Sequence, residues 1–255
     1  MHIVEVKNLK IGEGLPKICV SIIGKTKEEI ISAAKELVQT KADIAEWRVD
    51  WYEEANQIEK VLEIAQELQK TLKAIPLLFT FRTVKEGGEK SILGKAYEAL
   101  NLAVIQSGFV DLVDTEVFMD EKIAKSIIHT AHKANVKVVG SNHDFEKTPD
   151  EKEILHRLCY MQELGVDLPK IAVMPKTKKD VLTLLSATIE MNEKYAKRPI
   201  ITMSMSKDGV ISRISGEIFG SAVTFGAAKA ASAPGQIGVE QLSEILNKIH
   251  EDCVK

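Results

Sequence analysis

Two short apolar runs decide the fold: Lys137-Val138-Val139-Gly140-Ser141-Asn142 and Leu168-Pro169-Lys170-Ile171-Ala172-Val173-Met174-Pro175. Between them lies an amphipathic stretch, Asp150–Leu164, entered through Thr148-Pro149 and an acidic first turn. A strand, a helix and a second strand in that order make a parallel βαβ unit. Working outward, the same unit recurs along the chain. Strands are expected at Ile18–Ile23, Ile44–Val49, Leu77–Arg82, Val110–Thr115, Lys137–Asn142, Lys170–Met174, Ile200–Ser204 and Ala222–Phe225. Helices are expected at Lys27–Gln39, Gln57–Leu72, Lys90–Gln106, Glu121–Ala134, Asp150–Leu164 and Lys178–Glu193. Eight strands in strict alternation with helices predict an α/β fold closed into a (β/α)8 TIM barrel. An open doubly wound sheet is the alternative, but no GxGxxG follows the first strand. Ile3–Ile11 alternates and reads as a β-hairpin turning near Lys7-Asn8, placed to close the barrel floor. No Pro/Ser-rich linker or shift in composition divides residues 1–255, so a single barrel domain is expected.

Composition narrows the chemistry. A formal charge of −3 provides no basic field for nucleic acid. No apolar run approaches the roughly 20 residues of a membrane span. Cys19, Cys159 and Cys253 are widely spaced without a CxxC, which suits a reducing compartment. A cytoplasmic location is therefore expected, with no membrane or nucleic-acid partner.

Lys170 is the residue that stands out, a single charge opening an apolar strand after Pro169. Burial disfavours an ammonium and pushes lysine towards the free amine. Ala172, on the same face, leaves room for its stem. At an unperturbed pKa only about one lysine in two thousand is neutral at pH 7, and a shift of ~3 units makes the neutral fraction substantial. A neutral amine attacks ketones and aldehydes to give an imine, which acidifies the adjoining C–H. Such chemistry needs a base near pH 7. His143 lies on the preceding strand, with Glu86 or Glu46 available to fix its tautomer.

Other polar residues gather where strands end, the place barrels use for catalysis. Glu46 and Arg48 share a face, with Trp47 opposite. Thr80 and Arg82 share another, and Ser21 ends the first strand on the face of Cys19. Together they describe a polar, anion-binding cup over an apolar core. His129 and His132 read as a surface pair, and no HxH or HExxH suggests a metal. Farther along, Arg213 is suited to clamp a carboxylate through two parallel hydrogen bonds. The small-residue segment from Gly226 to Gln236 reads as a loop that closes over a ligand, with Ser232 and Gln236 as its polar groups.

These residues carry a resemblance. The segments Glu46-Trp47-Arg48-Val49-Asp50, Thr80-Phe81-Arg82-Thr83 with Glu86, Ser141-Asn142-His143-Asp144-Phe145, Pro169–Pro175, Gly209-Val210-Ile211-Ser212-Arg213 and Ala231-Ser232-Ala233-Pro234-Gly235-Gln236 occur in this order. Nearly end to end, the chain resembles the type I 3-dehydroquinate dehydratase family. Thr115 is a departure, standing where that family usually has an aliphatic residue. The resemblance implies dehydration of 3-dehydroquinate by syn elimination through an imine on Lys170, with His143 as acid–base and Glu86 orienting it. It implies that Arg213 holds the substrate carboxylate, while Ser21, Glu46, Arg48, Arg82, Ser232 and Gln236 bind the remaining oxygens. It also implies a homodimer that needs no metal or cofactor. A class I aldolase, or a ligand-binding barrel without catalysis, is the rival expectation.

Overall fold

β-branched and apolar residues at alternate positions form short strands, each followed by a chain segment whose apolar residues recur at helical spacing. The computed structural model describes residues 3–228 and 235–253. Strands β1 (Val4–Val6) and β2 (Leu9–Ile11) form an antiparallel hairpin that turns through Lys7 at φ 51°. The following strands are β3 (Lys17–Ile22), β4 (Ile44–Arg48), β5 (Leu77–Thr80), β6 (Leu112–Glu116), β7 (Lys137–Asp144), β8 (Leu168–Val173), β9 (Ile201–Ser204), β10 (Val223–Ala227) and β11 (Ile237–Gly238). The helices are α1 (Lys27–Leu37), α2 (Ile58–Leu72), α3 (Gly94–Ser107), α4 (Glu121–Lys133), α5 (Glu151–Leu164), α6 (Lys178–Glu190), α7 (Val210–Ile214), α8 (Gly216–Phe219) and α9 (Val239–Cys253). No helix among the described residues is long and apolar enough to cross a membrane.

β3 to β9 pair in sequence order, all parallel, and β10 lies beside β3. The ring closes between β9 and β10 through a bridge from Ile200 to Ser221, where Ala222 N donates to Ile200 O at 2.8 Å. Beside it, the Ser221 hydroxyl accepts from Thr202 N at 3.0 Å, replacing a backbone ladder bond with a side chain. The expected α/β barrel is what forms, with β11 added at the mouth against β10.

Strand alternation divides the core in two. Outward residues such as Val20, Trp47, Phe79, Val113 and Val138 pack under the helices, with Trp47 and Phe79 edge to face at 5.7 Å. Inward residues Ile44, Leu78, Leu112, Val139, Leu168, Ile201 and Val223 form a separate apolar floor, and Val4, Val6 and Ile11 of the hairpin belong to it. The hairpin plugs the barrel bottom, as expected. Lys7 pins it there, donating to Lys73 O at 2.9 Å and Ile75 O at 3.2 Å and pairing with Asp111 at 2.9 Å. Ile11 is fully buried, so Ile11→Ala is expected to cost about 2–5 kcal/mol in a denaturant melt while leaving kcat unchanged. An unshifted midpoint would show that the hairpin adds nothing to the barrel.

Several expected boundaries move, and three of the shifts have a clear local reason. β8 begins at Leu168, so Pro169 lies inside the strand and Lys170 is its third residue. Proline's φ suits a strand, and only one ladder donor is lost. α3 begins at Gly94, not Lys90, because Lys90 is held in extended chain against Thr83 while its ammonium donates to Asp50 O and Tyr52 O. β7 continues to Asp144 and carries His143 within the sheet. Beyond the helical segments read from the sequence lies α9, which buries Val239, Leu242 and Leu246 at helical spacing.

Candidate active site

Above the apolar floor, the next inward layer of the ring is polar. It contains Glu46 on β4, Thr80 on β5, Asp114 on β6, Ser141 on β7 and Lys170 on β8, with Phe225 on β10. All of these are nearly or fully buried. They lie beneath a cavity of about 150 Å³ at the C-terminal ends of the strands, the end where barrels place their active sites.

Lys170 opens into this cavity and is 3% exposed. Its ammonium lies 4.3 Å from the centre of the Phe225 ring, within the range of a cation–π contact. Burial lowers its pKa, Arg82 adds to that, and the charges of Glu46 and Asp114 oppose it. The sheet register pairs Ser141 with Lys170 and His143 with Ala172. The imidazole therefore stands one inward position above the lysine on the adjacent strand, roughly 6–7 Å along the strand axis. A lysine stem rising past small Ala172 covers such a rise.

His143 is held by Glu86, which reaches over from the turn after β5. Glu86 Oε2 accepts from His143 N at 3.0 Å and lies 2.9 Å from His143 Nδ1. Of the two carboxylates considered for this role, Glu86 takes it. Glu46 instead accepts from the Ser21 hydroxyl at 2.5 Å and the Thr80 hydroxyl at 3.1 Å. Burial lowers the His143 pKa well below the ordinary histidine value, helped by Arg82, Lys170 and Arg48. Burial also lifts the Glu86 carboxyl to about 8, against the pull of Arg82. In contact at 2.9 Å, the two groups form one unit in which the protonation of either bears on the other. When that unit loses its extra proton, Nδ1–H donates to the carboxylate and Nε2 is left bare as a base.

The arginines divide into two kinds. Arg48 grips Asp50 with Nε and Nη2, both at 2.7 Å. Arg82 Nη1 donates to Glu116 at 3.0 Å and to Ser141 at 2.9 Å, lies 3.4 Å from Glu86, and Nη2 is 2.8 Å from Asp114. Both guanidinium groups line the cavity while bound to protein carboxylates. They fix a positive wall more than they offer free forks. Arg213, on α7, lines the opposite side with Gln236. It is 1% exposed, and burial lowers its pKa to about 10. Nearby, Glu217 accepts from His250 Nδ1 at 2.6 Å.

Nine of the ten sequence-derived site residues thus converge on one region: Lys170, His143, Glu86, Glu46, Arg48, Arg82, Arg213 and Gln236 line the cavity, and Ser21 touches it through Glu46. Ser232 lies outside the described residues. Sequence reasoning did not single out Asp50, Asp114, Glu116 or Phe225. The acids on β6 carried a signal, two carboxylates two residues apart at a strand end, but only pairing across strands reveals Arg82 as their partner. His132 bonds Asp167 at 3.0 Å, as suits a surface histidine.

This geometry has counterparts among known proteins. The family model described as type I 3-dehydroquinase matches residues 18–253. The 3-dehydroquinate dehydratase of Clostridioides difficile (strain 630) is 58% identical over 248 residues, 97% of each chain. That of Bacillus licheniformis is 53% identical over 250 residues, covering 98% of each. Among solved structures, a type I 3-dehydroquinate dehydratase from Clostridium difficile, described with covalently modified comenic acid, superposes with TM-score 0.96 at 58% identity. The match covers 98% of this chain and 99% of that one. The Geobacillus kaustophilus 3-dehydroquinate dehydratase gives 0.95 at 35% identity, over 98% and 97% of the two chains. Identity at this level over nearly the whole length leaves one assignment: the chain belongs to the type I 3-dehydroquinase family, carbon–oxygen lyases that dehydrate 3-dehydroquinate in the shikimate pathway.

Proposed function

We propose that this chain dehydrates 3-dehydroquinate through an imine on Lys170, by syn elimination. The observation that carries the reading is a buried lysine with a lowered pKa in the same cavity as the Glu86–His143 pair. The neutral amine of Lys170 attacks the C3 ketone, and loss of water from the carbinolamine leaves a protonated imine. That imine withdraws electrons from C2. Nε2 of His143 takes the C2 proton, and the electron pair becomes an enamine. The enamine then expels the C1 hydroxyl as His143 returns a proton to it, so water departs. One imidazole serving both positions requires that proton and hydroxyl leave from one face. Hydrolysis of the imine releases 3-dehydroshikimate and restores Lys170. The covalent comenic acid in the Clostridium difficile relative is in keeping with a covalent route.

Arg213 would hold the substrate carboxylate, with Gln236, Ser232, Ser21 and Glu46 on the hydroxyls. Arg48 and Arg82, already paired, would act on the substrate mainly as fixed positive charge. Charge-assisted hydrogen bonds are worth about 1.5–3 kcal/mol, so Arg213→Ala is expected to raise KM by about 10- to 100-fold, with imine formation retained at high substrate. An unchanged KM would remove Arg213 as the clamp.

Product analysis tests the reaction. Incubation with 3-dehydroquinate is expected to give the ultraviolet absorbance of a conjugated enone, with C2 deuterium lost from the same face as the hydroxyl. Two carbonyl fragments would indicate a retro-aldolase, and no consumption a silent binding barrel. The reading includes a single domain over residues 1–255, a homodimer as the resemblance implies, and a cytoplasmic location. The free thiols of Cys19, Cys159 and Cys253 suit the last of these.

A further inference from the structure

We infer that Asn142 and Arg157 are positioning residues for the Glu86–His143 pair, holding the Glu86 carboxylate in the orientation and ionisation state that leave Nε2 of His143 free to act as a base. The inference rests on the dehydratase reading above and concerns the same site.

Asn142 alternates with His143 on β7, so its side chain lies on the outer face of the strand, towards α5. Arg157 on α5 donates from Nη1 to Asn142 Oδ1 at 3.0 Å. A guanidinium only donates, so the amide must present its oxygen to Arg157 and its nitrogen to the other side. On that side Asn142 Nδ2 donates to Glu86 Oε1 at 3.2 Å. Glu86 Oε2 is occupied by the backbone and ring nitrogens of His143. Each oxygen of Glu86 therefore receives an N–H, and protonating either one displaces a donor. Hydrogen bonds of this kind favour the charged form of a carboxylate. Arg157 is itself fixed by Glu153, which accepts from Nε at 2.7 Å, with Asp144 at 3.9 Å. The line from α5 to the imidazole is thus Glu153, Arg157, Asn142, Glu86, His143.

Other charges face the pair from each surrounding element. Arg82 after β5 favours the carboxylate, and Asp114 and Glu116 on β6 oppose it. Lys170 on β8 and Arg48 on β4 disfavour an imidazolium. Against burial, which drives Glu86 towards its protonated form, the Asn142 amide is one of few groups acting the other way. If Glu86 takes up a proton, Nδ1 becomes the acceptor, the imidazole proton moves to Nε2, and the base is lost.

The test is the pH dependence of kcat at saturating substrate, where Lys170 is already in the imine and its own titration drops out. Asn142→Asp preserves shape but sets an oxygen against Glu86, and is expected to move the acid limb up by about one pH unit. Borohydride trapping of the imine should remain as in the wild type. Arg157→Met, outside the cavity, frees the amide to turn and is expected to shift the limb the same way by less, with Arg157→Lys restoring it. If Asn142→Asp fails to fold, the two Arg157 variants decide alone. A limb unmoved in the folded variants, or moved down, or a uniform fall in kcat without a shift, overturns the inference. An absent limb in the wild type, or turnover retained by His143→Ala, overturns the dehydratase assignment of His143 instead.

Discussion

Lys170→Ala is expected to lose turnover by on the order of 10⁵-fold, the scale on which removal of a covalent nucleophile acts. It should also yield no borohydride-stable adduct. In the proposed route, the substitution removes the nitrogen that joins the substrate. The side chain occupies a layer packed among Glu46, Ser141 and Phe225, so alanine leaves space but no unmatched apolar–polar contact of its own. Glu46 retains Ser21 and Thr80 as donors, and the fold is expected to survive. Lys170→Arg retains charge yet cannot form an imine, because a guanidinium stays protonated. It should be as inactive as the alanine variant. Activity in either variant would mean that the covalent step takes place elsewhere or not at all.

His143→Ala is expected to fall by roughly 10²–10⁴-fold in kcat, the usual worth of a positioned acid–base group. Unlike the lysine variant, it should still trap with borohydride, since attack on the ketone does not need the imidazole. Imine is expected to accumulate. In the wild type, the pair with Glu86 must lose its extra proton before Nε2 is a base, and burial places the Glu86 carboxyl at about 8. The sign follows: kcat rises with pH through that region. The rise in kcat/KM should be steeper, because free Lys170 must shed a proton as well and its pKa is lowered but not abolished as a factor. A pH-independent kcat from acid to mild alkali would contradict the role given to the pair.

Alternation made much of this site legible. A period of two places Lys170 with Ala172 and Glu46 with Arg48 on shared inward faces, and the register bears this out; Arg82, two residues past the end of β5, reaches the same cavity from outside the ladder. Trp47 and Phe79, on the opposite phase, lie under the helices against each other. What alternation cannot supply is partners from elsewhere in the chain. Arg48 and Arg82 read as parts of an anion-binding cup; that Asp50 holds the first, and Asp114 and Glu116 from β6 the second, emerges only in the fold. The choice between Glu46 and Glu86 for His143 was open for the same reason, being decided by a turn after β5 that brings Glu86 across to β7. The neighbours of Lys90 suit a helix, but its bonds to Asp50 O and Tyr52 O hold it extended. Helix α9 carries the same kind of signal, with Leu242 and Leu246 spaced for one buried face.

Dehydration by the proposed route requires a covalent bond between one lysine and the substrate ketone. Sodium borohydride reduction in the presence of 3-dehydroquinate, followed by mass mapping of the peptides, tests it directly. The expected result is a reduced adduct on the peptide containing Lys170 and on no other lysine. Turnover with no adduct anywhere, or an adduct on a different lysine, would contradict it.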